Sequence, residues 1–182
     1  MPNDMFARVV LLFVAAMTLS ANTPAAETKP FSLINHEGKT TTDQDFKGEY
    51  MLVHFGYTHC PDVCPTSLYN LAAAVKRLGA NGERIRPIFV TVDPERDTVE
   101  LLASYVQAFH PRMVGLTGSK EQVAEAAKAY EVDYVVSEYK GEYLVHHSAF
   151  TYLLGPDGAF LKRFPFGTEP DHLVEAIRAV IN

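Results

Sequence analysis

Two cysteines, Cys60 and Cys64, are the only thiols in the chain, and three residues separate them. They lie in the stretch Phe55-Gly56-Tyr57-Thr58-His59-Cys60-Pro61-Asp62-Val63-Cys64-Pro65. Upstream, the apolar run 50–55 reads as a buried strand; downstream, a helical pattern opens at Pro65. A thiol pair at a strand-to-helix turn can close a disulfide, run thiol–disulfide exchange or chelate a metal. A purely structural disulfide is the weakest of these readings, because a bond across so short a loop removes little chain entropy. Two cysteines are also too few for a disulfide scaffold. The spacing is CxxxC, and the extra residue relative to CxxC widens the bite of the sulfurs, which suits a soft metal while leaving a disulfide within reach. Pro65 suits the first helical position, where its missing N–H would have no partner anyway. That reading puts Cys64 at the N-cap, where the helix dipole and free amides favour a thiolate, and leaves Cys60 on the approaching turn beside Pro61. Two thiolates rarely satisfy a metal, so a third ligand has to come from elsewhere in the fold.

The elements that must position this pair follow from periodicity. Residues 31–34 read as a short strand that turns and returns through 35–40. The helix from Pro65 carries Leu68, Leu71, Ala72, Val75 and Leu78 at close to 3.6 spacing and stops at Gly79. Residues 85–92 are the next buried strand, and Asp97 is the expected N-cap of a helix with Glu100 three residues on. A strand at 113–116 precedes a helix capped by Ser119 and Gln122. Residues 132–137 and 142–145 form a hairpin around Lys140-Gly141, and 150–154 with 159–164 a second about Gly155-Pro156-Asp157-Gly158. Residues 170–181 close the chain as a helix. Alternating strands and helices, then a hairpin and a last helix, predict an α/β fold with a central sheet flanked by helices on both faces. The first strand-to-helix turn of such a sheet is where a thioredoxin-like fold keeps its chemistry.

At 182 residues the chain has the length of one domain, and its 47% apolar and 21% charged content is that of a globular protein. A formal charge of −6 with no basic block argues against a nucleic-acid partner. The apolar run 9–19, with Arg8 before it and small residues over 21–26, has the length of a signal-peptide core and falls short of the roughly 20 residues a spanning helix needs. Residues 1–26 therefore read as a cleaved signal peptide or an N-terminal membrane anchor. No cysteine follows the run, which excludes a lipoprotein anchor. The domain at 27–182 is then expected outside the cytoplasm, in a bacterial periplasm, soluble or anchored to the inner membrane.

Three separated motifs carry a specific resemblance. Gly56-Tyr57-Thr58-His59-Cys60-Pro61-Asp62-Val63-Cys64-Pro65, then Val92-Asp93-Pro94-Glu95-Arg96-Asp97-Thr98, then His147-Ser148 leading into Tyr152-Leu153-Leu154-Gly155-Pro156-Asp157-Gly158, resemble the Sco/SenC family over essentially the whole domain. The resemblance implies a thioredoxin-like fold that binds copper through Cys60, Cys64 and His147. It further implies copper delivery and thiol handling during assembly of the dinuclear copper centre of cytochrome c oxidase. The implied partners are the copper-site subunit of that oxidase and other periplasmic copper chaperones or thiol reductases.

The sequence departs from the family pattern at one place. The family histidine usually follows an aspartate, whereas here it follows His146. Neighbours in an extended segment point to opposite faces, so only one of His146 and His147 can reach the metal; register selects His147. Softness supports copper independently: thiolates suit Cu(I), and a two-sulfur, one-nitrogen set fits three-coordinate Cu(I) and, with an added ligand, Cu(II). A closed zinc site would need a fourth protein ligand. His59 could supply it, although a solvent-facing turn histidine is the plainer reading.

His54 reads as an internal packing residue, and His36, His110 and His172 as ordinary turn or helix-end residues. Asp93 ends a strand where sites gather in open sheets, and Arg96 and Asp97 fix the turn that follows. Three functions compete: a copper metallochaperone, a thiol–disulfide oxidoreductase working through the redox-active dithiol Cys60 and Cys64, and a redox or copper sensor. The segment 139–148 holds no proline, although thioredoxins place a cis-proline opposite their cysteines; the histidine segment is expected to fill that space, which favours metal binding.

Overall fold

The computed structural model describes residues 28–139 and 142–181; the expected leader at 1–26 and the Lys140-Gly141 turn lie outside them. The strands are β1 (Ser32–Asn35), β2 (Thr40–Thr42), β3 (Tyr50–Gly56), β4 (Ile85–Thr91), β5 (Val114–Thr117), β6 (Tyr134–Tyr139), β7 (Glu142–His147), β8 (Phe150–Leu154) and β9 (Phe160–Pro165). The helices are α1 (Val63–Arg77), α2 (Val99–Gln107), α3 (Lys120–Ala129) and α4 (Pro170–Arg178).

Seven strands form one sheet in the order β2-β1-β5-β4-β3-β8-β9. The central strands β3, β4 and β5 run parallel, and β8 joins β3 antiparallel. Every residue of β3 is buried, as expected of a parallel strand covered on both faces. Its side chains alternate between two cores. Met51, Val53 and Phe55 join Ile88, Val90, Leu116 and the α3 residues Val123 and Ala126 on one face. Tyr50 and Leu52 join Phe89, Leu153 and the apolar sides of α1, α2 and α4 on the other. Helices therefore cover both faces, as the α/β reading expected, with α3 alone on its side among the described residues.

β6 and β7 make a separate two-stranded sheet that shares no ladder with the main one. Two helix starts differ from the sequence reading. α1 begins at Val63 with Asp62 as its N-cap, which makes Cys64 the second helical residue and Pro65 the third. The missing N–H of Pro65 is harmless there too, because a helix leaves all of its first-turn amides without internal partners. α2 is capped by Thr98, whose Oγ1 accepts from Leu101 N at 3.3 Å, and not by Asp97, whose carboxylate is used elsewhere. The capping box of Ser119 with Gln122 forms as expected.

Candidate metal centre

The thiol pair sits where β3 ends and α1 begins. Cys60 N donates to Tyr57 O at 3.2 Å, which folds the approach into a tight turn. Cys64 is fully buried against the end of β3. A side chain at Gly56 would not fit: its Cβ would stand 2.7 Å from Cys64 Sγ and 2.8 Å from the Phe89 ring. The backbone can approach this sulfur only because residue 56 has no Cβ.

The two thiols differ sharply, and in the opposite sense to the sequence reading. Cys60 Sγ receives the S–H of Cys64 and the backbone N–H groups of Cys64 and Asp62; these outweigh partial burial and bring its pKa down to about 5. The Cys64 amide donates to Cys60 Sγ at 3.4 Å. The free amides of the helix N-terminus thus serve the preceding cysteine, because Cys64 lies one step inside the helix. Cys64, acting as donor to Cys60 and buried, is pushed well above the ordinary thiol range. At neutral pH the pair is a thiolate at Cys60 holding a proton shared from Cys64.

His147, the last residue of β7, comes down over this pair from 83 residues away. Its Nε2 lies 3.6 Å from Cys64 Sγ. Its Nδ1 lies 3.1 Å from Ser148 O, and a carbonyl can only accept, so Nδ1 carries the hydrogen and the Nε2 lone pair faces the sulfur; this tautomer is assigned from the hydrogen-bond network. Burial lowers the pKa of His147, which keeps the ring neutral. The Tyr57 ring packs against it nearly perpendicular, at 6.1 Å between centroids. His146, on the other face of β7, is exposed and pairs with Ser137 Oγ at 3.1 Å. β7 fills the space opposite the cysteines in which the sequence reading placed the histidine segment.

The spacing suits an ion shared by sulfur and nitrogen. Metal–sulfur and metal–nitrogen bonds of about 2.3 and 2.0 Å at a trigonal angle put the two ligand atoms about 3.7 Å apart, close to the 3.6 Å between Nε2 and Cys64 Sγ. Among the described residues no three His, Cys, Asp or Glu side chains are arranged so that they could hold a metal ion as they stand; Cys64 is the member of the trio that neighbours both of the others. His59 is turned away: half-exposed, it pairs with Thr58 Oγ1 at 3.0 Å and lies 3.8 Å from Asp97 Oδ1.

The other histidines have structural partners or face solvent. His54 is buried between β3 and β8, with Nδ1 3.1 Å from Thr151 Oγ1 and Nε2 unpartnered; burial depresses its pKa to about 3. His36 accepts from Gly115 N and His110 from Arg112 N, each at 3.1 Å, and His172 is exposed.

The second motif does more than turn the chain. Asp97, wholly buried, accepts from Thr58 N at 3.0 Å, Thr58 Oγ1 at 2.6 Å and Thr91 Oγ1 at 2.6 Å. It thereby ties the cysteine turn to the end of β4. Asp93, also buried, accepts from Arg96 Nε and, at 2.6 Å, from the hydroxyl of Tyr143 on β7. Tyr143 was not singled out from the sequence. The signal was present, since Tyr143, Val145 and His147 share one face of a strand.

An apolar groove of about 400 Å³ opens beside Cys60, lined among others by Pro61, Val63, Leu144, His147 and Phe166. With that geometry in place, likeness to known proteins is informative. The SCO1/SenC family model matches residues 20–182. The chain belongs to the SCO1/SenC family. It is 45% identical over 152 residues to the mouse protein "SCO2 homolog, mitochondrial", spanning 81% of this chain and 60% of that protein. The chain covers about half the length of such curated relatives.

Among solved structures, copper-bound ScoI of Arabidopsis thaliana superposes with a TM-score of 0.79 at 41% identity, over 85% of this chain and 99% of that one. BsSco, described as a member of the Sco family of cytochrome c oxidase assembly proteins with a disulfide switch, superposes at 0.68 and 28% identity, over 85% and 92%. The fold is thus that of the thioredoxin-like SCO1/SenC structures. One expectation is overturned. The mouse, Arabidopsis and human relatives are named mitochondrial, which contradicts the expected bacterial periplasm. A short N-terminal apolar run has the same hydropathy whichever membrane it addresses, so the run could not make that distinction.

Proposed function

We propose that this SCO1/SenC protein is a copper metallochaperone. In this reading Cys60, Cys64 and His147 hold the ion as cargo and release it to the copper-site subunit of cytochrome c oxidase in the mitochondrion. The observation that supports the reading is Cys64 Sγ standing beside both Cys60 Sγ and, at 3.6 Å, the neutral His147 Nε2, next to an open groove. Two soft thiolates and one imidazole favour Cu(I) over harder ions, and Cu(II) is accommodated with a further ligand. Cys60, already a thiolate, is the landing ligand. Cys64 gives up its proton as the ion arrives, so uptake releases a proton and strengthens with rising pH. His147 supplies Nε2 without needing to deprotonate. Release follows by ligand exchange with incoming thiolates that reach the groove beside Cys60.

The test is titration of the reduced protein with Cu(I), read by competition for affinity and by X-ray absorption for the first shell. One copper with sulfur and nitrogen neighbours is expected. His147→Ala should weaken binding by at least one to two orders of magnitude, the range already typical for losing a partner outside the ligand set, and leave the fold intact. Unchanged affinity in that variant sinks the three-ligand reading.

The split between the two thiols favours a second reading, a thiol–disulfide oxidoreductase. Thiolate Cys60 would attack a disulfide of the target and form a mixed disulfide while one target sulfur leaves as thiolate. Cys64 would then lose its proton and displace the second target sulfur, leaving the target with two thiols and this chain with a Cys60–Cys64 disulfide. His147 has no part in that exchange, so a His147→Ala variant that loses copper and keeps disulfide reduction separates the two.

A further inference from the structure

The hairpin that carries His147 is joined to the main sheet by no backbone ladder, yet the imidazole must be held to within about half an ångström for metal ligation. Something other than strand pairing has to fix it. Val145 is buried and roots the middle of β7 in the core. At the base, Ser148 N donates to Asp133 O at 2.9 Å, which closes the hairpin on itself. At the remaining point, Tyr143, two residues of the second motif grip one side chain. The Tyr143 hydroxyl donates to Asp93 Oδ1 at 2.6 Å. The Arg96 guanidinium lies 3.8 Å from the centre of the Tyr143 ring and donates from Nη1 to Tyr143 O at 3.3 Å. Arg96 Nε in turn pairs with the other oxygen of Asp93.

We infer that Asp93, Arg96 and Tyr143 form a clamp that positions His147 over the cysteines, so that these three are positioning residues for the metal site. The inference rests on His147 being a ligand, as proposed above, for its functional consequence; its mechanical part does not. Tyr143, Val145 and His147 alternate along one face of β7, so a ring fixed at 143 and a core anchor at 145 set both the height and the rotation of the residue at 147. The clamp is also stiff. Asp93 is buried and its two oxygens are each committed to one partner, and an ion pair of that kind loses its geometry when either member is removed. Arg96 further lies 5.8 Å from the Tyr57 ring centre, and Tyr57 packs on His147, which gives the clamp a second route to the same imidazole.

The test uses Tyr143→Phe, which keeps the ring under the guanidinium and deletes only the hydroxyl, with Asp93→Asn as a second variant and His147→Ala as reference. Without metal, amide hydrogen exchange of residues 143–148 should speed up about tenfold in both clamp variants while amides of β3 and β4 hold their rates. With Cu(I), affinity should fall about tenfold, the lower end of the cost of disturbing a ligand's supporting shell. X-ray absorption should show partial loss of the nitrogen neighbour with the sulfurs kept. Arg96→Lys, which keeps the charge but loses the planar fork, should behave like Tyr143→Phe. Unchanged hairpin exchange in Tyr143→Phe and Asp93→Asn overturns the clamp, whatever copper does. Faster exchange with unchanged copper affinity in the clamp variants and in His147→Ala together leaves the clamp standing and overturns His147 as ligand. Faster exchange with copper weakened only in His147→Ala overturns the positioning role.

Discussion

At the scale of single residues, the asymmetry of the dithiol comes from one position along a helix. Had α1 begun with Cys64 as its cap, the free amides would have stabilised that sulfur. Because Asp62 is the cap, the amide of Cys64 points back at Cys60, and the S–H of Cys64 follows it. A pKa of about 5 for Cys60 makes it a thiolate at every pH above that value. In the reduced, metal-free protein, alkylation of Cys60 by iodoacetamide should therefore rise through a midpoint near pH 5 and be flat by pH 7, while Cys64 stays almost unreactive; peptide mass spectrometry after timed quenching measures both. Cys64→Ala removes the S–H donor and should move the Cys60 midpoint upward. A Cys60 midpoint in the ordinary thiol range, about 8.5, would count against the donor role of Cys64.

At the scale of elements, the site is a junction of two turns and one foreign strand. The β3–α1 turn gives the sulfurs, the β4–α2 turn gives Asp97 to brace them and Asp93 to hold β7, and β7 gives the imidazole. The junction is tightest at Gly56. Gly56→Ala places a methyl group 2.7 Å from Cys64 Sγ and 2.8 Å from Phe89 Cε2, both well inside contact distance and both held by packed elements. The first turn of α1 has to move, at a cost of about 1–3 kcal/mol as for other overpacked cores. Urea unfolding should show that loss, and copper affinity should fall with it, since Cys64 moves with the turn. A Gly56→Ala protein with unchanged stability and affinity would mean that the sulfur has room to spare.

At the scale of the whole molecule, stability is coupled to a buried histidine that takes no part in the chemistry. His54 has its pKa lowered to about 3 by burial between β3 and β8, against about 6.5 when unfolded. A depressed value means that the neutral ring is favoured by folding, so its contribution is fully present above about pH 6.5. It is lost as pH falls from there towards 3, because the unfolded chain gains a proton that the folded one refuses. The slope expected of one such group is about 1.4 kcal/mol per pH unit. Denaturant unfolding of the wild type and His54→Gln between pH 7 and 4 should show the variant with a flatter acid limb. Parallel limbs would show that acid loss is carried by other groups.

Much of this molecule was legible from its residues. The CxxxC pair, the Ser119 cap, both hairpins and the alternating α/β order are local patterns, and each is set by backbone sterics or by the periodicity of a few neighbouring side chains. The three family motifs were likewise readable, since they are runs of sequence. What sequence could not supply were relations between residues far apart. The reversal of the two thiols depends on where α1 starts to within one residue, which no propensity resolves. The selection of His147 over His146 on geometry depends on which face of β7 meets α1, and the β6–β7 sheet acquires that orientation only by docking, with Val145 in the core and Tyr143 on the second motif. Burial of Asp97 and Asp93, and with it their role as braces, exists only after both cores have closed around the ends of β3 and β4. Local pattern determined the parts and the candidate site residue types; tertiary packing decided which sulfur is charged, which imidazole faces its neighbour Cys64 and what holds that imidazole there, because those depend on distances that only the closed fold sets.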